Sequence, residues 1–113
     1  MSATEPSNQP ELPLMQAVLE PLLEDFQYWF GKTQTLLTSP KADCLAASDR
    51  QTFIQEVEEA QRAVVTAKTL LLATDGHAGV DMAVVGQWHQ LVHKCWKTSR
   101  YIRQQNQENS ASS

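Results

Sequence analysis

LLLATDGHAGVDMAVVGQWHQLVHKCW, Leu70–Trp96, decides what kind of molecule this is. The stretch holds all three histidines, one of the two cysteines and two of the three tryptophans. Such a concentration suggests a site, yet the spacing predicts a helix hairpin. At its centre TDGHAGVD, Thr74–Asp81, reads as the turn. Gly76 falls just past the last periodic apolar residue, where a C-cap needs positive φ. Asp81 suits an N-cap for the next helix, with Val80 and Val85 as its hydrophobic staple. Downstream, Val84, Trp88, Leu91, Cys95 and Ile102 form one seam, with Val85 and Val92 alongside.

Upstream, Phe53, Val57, Ala60, Val64, Ala67 and Leu71 alternate at spacings of four and three, the seam of a helix bundle. Two alanines in that seam let a neighbour approach closely. The string SDRQ places Ser48 at the N-cap and Gln51 at N3, a capping-box pattern. Earlier still, Met15, Leu22, Trp29 and Leu36 recur every seven residues, Leu23, Phe30 and Leu37 run beside them, and Leu19 and Phe26 fill the gap. Pro21 either kinks this helix or starts its main part near N1. TSPKADC ends it, since a residue before proline resists the α conformation. The expected fold is all-α: an antiparallel three-helix bundle with disordered polar termini. Helices are expected near 12–38, 49–73 and 82–104. A single helical domain spans 11–105, between disordered tails over 1–10 and 106–113. Trp29, Val57, Val64, Leu71, Trp88 and Leu91 are expected inside.

A chain of 113 residues is one domain's worth and buries one core. The net charge of −4 is unevenly spread. Residues 1–60 hold ten acids against three bases, whereas 82–107 hold Lys94, Lys97, Arg100 and Arg103 and no acid. Acids and bases on different helices attract, and cations suit a helix C-terminus. The alternative is a basic strip for an acidic partner. Nucleic acid is a poor candidate, because the field of an acidic chain repels phosphates. Two cysteines without close spacing, no basic start with an apolar h-region and no run long enough for a membrane span predict a cytoplasmic protein with free thiols.

His89 and His93 lie four apart and so share one helix face, the start of a zinc site. Gln90 stands where the protease motif has glutamate, and His77 lies in the turn. Cys95 is about 160° from His93 around the axis. A third ligand would have to come from another helix. Cys95 reads as a small core residue, and Cys44 has no base arranged for it. Phosphate-cradling loops and nucleophile elbows are missing, so neither a catalytic nor a cofactor constellation is complete. His89, His93, Trp96 and Arg100 share a face beside the seam, the composition of an interface anchor. Tyr28 points away from the apolar face of the first helix, with Glu24 and Lys32 four residues to either side.

LEPLLEDFQYWF, Leu19–Phe30, followed by LLATDGHAGVDMAVVGQWHQLVHKCW, Leu71–Trp96, resembles a small cyanobacterial family catalogued as a domain of unknown function. The resemblance covers Leu19 to Arg103. It implies a cyanobacterial host and a helical domain, and it carries over no activity and no catalytic residue. Such a host is rich in photosynthetic complexes, tetrapyrroles and carbon-fixation machinery.

These readings predict a non-enzymatic module that docks on a larger protein, a photosynthetic complex being one class. Its contact residues are Tyr28, His89, His93, Trp96, Arg100 and Arg103, with Trp96 as anchor and no cofactor. The alternative is a metal- or tetrapyrrole-binding protein using His89 and His93.

Overall fold

A computed structural model of the chain describes residues 5–75 and 80–112, with side chains over 16–75 and 80–108. Helix α1, Glu5–Leu37, leads through a short 3-10 helix, Pro40–Cys44, into α2, Ala47–Ala73; α3 follows as Met82–Ser112. The described residues contain no strand. The pairs between helices fix their directions. Glu24 bridges to Lys68, and the Gln34 amide donates to Glu58. Midway, a Cβ on Gly31 would lie 3.5 Å from Gln61 Nε2. Rising positions on α1 thus meet falling positions on α2, an antiparallel pair. Phe26 lies edge-on to Trp88, and Trp29 to Trp96, so α1 and α3 run parallel. Lys94 of α3 reaches Glu56 and stands 4.6 Å over the Phe53 ring, tying α3 to α2. The result is the expected up-down-up three-helix bundle.

The buried core follows the predicted columns. Leu19, Leu23, Phe26, Phe30 and Leu37 of α1 meet Phe53, Val57, Ala60, Val64 and Leu71 of α2. From α3 come Val85, Trp88, Val92, Cys95 and Ile102. Trp29 and Leu91, expected inside, are only partly buried. The buried stripe of α3 is centred on Val85 and Val92, which leaves Val84 and Leu91 at its edge. Trp29 lies on the flank where α1 faces α3.

Helix ends hold most of the differences from expectation. α1 runs unbroken through Pro21. Pro21 and Ala17 both face solvent, so the Ala17 carbonyl that loses its bond stays hydrated. The first and third helices run past the expected 12–38 and 82–104, to Glu5–Leu37 and Met82–Ser112. Gln, three of the ten residues after Arg103, is a good helix former, and no Gly or Pro stops the chain there. Residues 1–4 and 113 lie outside the described residues.

The N-cap of α2 is Ala46, without a side-chain cap, and not Ser48. The entry is set by packing: Leu45 lies against the core, Ala42 of the 3-10 helix is fully buried, and Asp43 pairs with Arg50 at 3.0 Å. Ser48 is thereby drawn into the first turn, where Asp49 suits the positive end of the dipole. At the other end of α2, Thr74 is the C-cap and its hydroxyl donates to the Leu70 carbonyl at 2.7 Å. The positive φ falls on Asp75, at 52°, while Gly76 and His77 lie outside the described residues. Asp81 caps α3 as expected, its carboxylate accepting the Ala83 N–H at 2.9 Å. Val80 and Val85 both pack on the core.

Candidate functional site

A two-residue motif links the outer helices. Trp29 of α1 and Trp96 of α3 meet edge to face, with ring centroids 5.5 Å apart. Each belongs to a longer row. On α1, Tyr28 stands edge-on to Trp29 at 5.0 Å, and Lys32 lies over both rings. Its Nζ also donates to the Tyr28 hydroxyl at 3.4 Å. Glu24 is drawn off to Lys68, so no Glu24–Lys32 pair lies beneath Tyr28. On α3, the rings of His89 and His93 are 5.2 Å apart, and His93 meets Trp96 at 5.1 Å. Tyr28, His89, His93, Trp96, Arg100 and Arg103 are all exposed. The α1/α3 pairing therefore brings Tyr28, through Trp29, onto the face that carries the other five.

Beside this aromatic row a groove runs toward the C-terminal end of α3. Its central cleft, about 440 Å³, is lined by Trp29, Lys32, Thr33, Leu36, Cys95, Trp96, Ser99, Arg100 and Arg103. Adjoining clefts of about 420 and 330 Å³ share Leu36 and add Lys41 from the 3-10 helix. None of the three is lined by an α2 residue or by a carboxylate. Lys32, Lys41, Arg100 and Arg103 thus surround an apolar floor. Among the described residues none of the four forms an ion pair. Lys94, grouped with the basic strip in the sequence, instead pairs with Glu56 at 2.7 Å. Trp29, Lys32 and Lys41 are the members that sequence reasoning missed. Trp29 looked like core from its heptad position, and Lys32 and Lys41 lie before and within a turn whose path the sequence does not give.

Cys95 lies in the floor, fully buried. Burial pushes its thiol above the ordinary value; a hydrogen bond from Thr33 pulls the other way, followed by the opposed charges of Glu56 and Lys94. A protonated, enclosed thiol is a packing group, not a nucleophile. Among the described residues no three of His, Cys, Asp and Glu converge to hold a metal ion. No helix in that set is long and apolar enough to cross a membrane. The arrangement is suited to holding an apolar or aromatic group against the tryptophans while the cations meet carboxylates.

A family model described as a protein of unknown function, DUF2605, matches residues 9–104. No curated protein matches the chain, and no solved structure does.

Proposed function

We propose, for a chain that belongs to the DUF2605 family and inherits no assigned activity from it, that it is a non-enzymatic docking module. It binds an acidic segment of a larger protein in the α1/α3 groove. One observation carries this reading: four cations line a groove walled by Trp29 and Trp96, and no carboxylate lines it. Cations this close repel one another, and an acidic ligand relieves that repulsion. Trp96, 39% exposed at the groove margin, is the anchor, with His93, Arg100 and Arg103 around it. A cyanobacterial host, implied by the resemblance, would make subunits of photosynthetic assemblies candidate partners.

The test is affinity purification of the tagged protein from its host, beside Trp96→Ala and Arg100→Glu. Both side chains are exposed, so both variants should keep the parent's helical circular dichroism. A partner lost with Trp96→Ala, and released by salt from the parent, is the expected result. Truncating such an anchor typically costs at least ~2 kcal/mol, while rim charges act mainly on association rate. A partner that survives both changes places docking elsewhere.

A second reading rests on the close, exposed rings of His89 and His93, four apart on α3. They would hold a divalent metal or a tetrapyrrole iron, with the remaining ligands supplied from outside the chain. Zinc and haem titrations, followed by the histidine ring resonances, test it. A saturable shift lost in His89→Ala supports it, and unmoved resonances dismiss it.

A further inference from the structure

The walls of the groove decide what shape can lie in it. Both walls are helices, so their backbone N–H and C=O groups are bonded within α1 and α3. The polar side chains of the walls are largely taken as well. Thr35 and Ser39 hydroxyls donate to the Gly31 and Leu36 carbonyls, and Thr33 is hydrogen-bonded to Cys95. The Asn106 amide donates to the Lys41 carbonyl at 3.3 Å. An extended peptide carries an unbonded N–H and C=O at nearly every residue. Laid here it would bury them without partners, each at a cost comparable to a lost hydrogen bond. A helix bonds its own backbone and asks its host only for side-chain contacts.

The length and chemistry of the groove fit a helix too. From Trp96 to Gln107 it follows α3 for about three turns, ~16 Å. Its floor is apolar, with Leu36 common to all three clefts and Cys95 and Ile102 beside it. Cations stand on both rims, Lys32 and Lys41 from α1 and the 3-10 helix, Arg100 and Arg103 from α3. The chain already holds one helix of the matching kind. α2 packs on α1 and α3 from the side away from the clefts, none of which it lines. Its buried seam runs through Phe53, Val57 and Val64. Acids reach out on both edges of that seam, Glu56 to Lys94 of α3 and Glu58 to Gln34 of α1. A further helix in the groove would repeat this arrangement and give each of the four cations the carboxylate that Lys94 already has.

We propose that the occupant of the groove is a helix of the partner protein, apolar along one face and acidic along both edges of that face, laid against α1 and α3 opposite α2. This rests on the groove being the docking surface assigned above and adds the form of the partner's segment. About eleven residues of helix span the groove. Apolar side chains spaced three and four apart meet Trp29, Leu36, Trp96 and Ile102, while Glu or Asp beside them reach the cations on the rims.

Selection of displayed random peptides, long enough for about four helical turns, on the full chain is the test, with counter-selection on a chain carrying Trp96→Ala and Arg100→Glu. The survivors should show apolar residues at spacings of three and four, flanked by Glu or Asp. A synthetic survivor should gain helical circular dichroism on binding, and a central proline should weaken it by about tenfold or more. Arg100→Glu with Arg103→Glu should weaken it by about tenfold or more, and exchanging the peptide's acids for lysine should restore binding to that variant. Survivors with alternating apolar residues, or indifferent to the proline, show an extended occupant and overturn the proposal while the docking reading stands. Survivors without acids, or none that needs Trp96 and Arg100, overturn it equally. A chain that self-associates in sedimentation equilibrium, and is dissociated by those two changes, gives the groove to a second copy and also overturns it. The docking reading fails by a separate result, a host partner retained by Trp96→Ala and Arg100→Glu.

Discussion

Leu71 and Lys68 sit one turn apart on α2 and show how little of a helix surface carries stability. Leu71 is fully enclosed, whereas Lys68 makes one partly exposed ion pair with Glu24 at 3.2 Å. Leu71→Ala should cost ~2–5 kcal/mol in urea unfolding. Lys68→Ala should cost under ~1 kcal/mol, because screened pairs of this kind contribute little. Equal midpoints for the two variants would mean that the α2 seam is misplaced. Cys95 supplies a pH test. Burial raises its folded pKa above the unfolded value, so the native state keeps the proton longer. The associated stability is complete below the ordinary thiol value of 9.0 and is lost as pH rises through the folded pKa. Unfolding midpoints should therefore fall more steeply above pH ~9 for the parent than for Cys95→Ala. A thiol reagent should modify Cys44 first and Cys95 only as fast as the chain opens, because Cys44 is the less buried thiol.

At the scale of elements, the ends of the helices use side chains more than glycine. Thr38 and Ser39 hydroxyls bond the Gln34 and Leu36 carbonyls at the end of α1, as Thr74 does for Leu70 in α2. These satisfy carbonyls that a helix end leaves unpaired. Pro21 is the sharpest test of an element. If α1 is continuous there, proline removes one internal bond and strains the turn before it. Pro21→Ala should then stabilise the protein by up to ~3 kcal/mol. A fall in the unfolding midpoint would show instead that Pro21 starts the helix. His89 and His93 belong to this scale also. Their adjacency follows from one helical turn, so it would exist in any helix over 82–104 and by itself assigns no ligand.

The whole molecule is a rod. Its radius of gyration is 18.7 Å, against roughly 13 Å for a compact domain of this length. Small-angle scattering should return a value close to 18.7 Å. A value near 13 Å would mean that the ends of the first and third helices fold back onto the bundle. The rod also separates charge. Five acids and no base lie on α1 before Lys32, while Lys32, Lys41, Arg100 and Arg103, none in an ion pair among the described residues, gather where α1, the 3-10 helix and the late turns of α3 meet. This polarity makes any association through the groove salt-sensitive.

The helical period alone determined the class of fold, the three helices and most of the core. Apolar residues at spacings of three and four must share a face, and short connections place consecutive helices antiparallel. Asp81 was legible as a cap because its role depends on position within one turn. What the sequence could not decide lay between elements. Ser48 lost its cap position because Leu45 and Ala42 pack on the core and start α2 earlier. Trp29 and Leu91 moved to the margin because burial depends on which neighbour stands opposite, and no periodicity specifies that. The groove is the clearest case. Arg100 and Arg103 were visible as a basic strip. That Lys32, Lys41 and Trp29 join them, while Lys94 is taken by Glu56, follows only from laying α1 parallel to α3 and turning the chain through Pro40–Cys44. Charge and shape complementarity at a surface are properties of residues distant in sequence, so only tertiary packing assembles them.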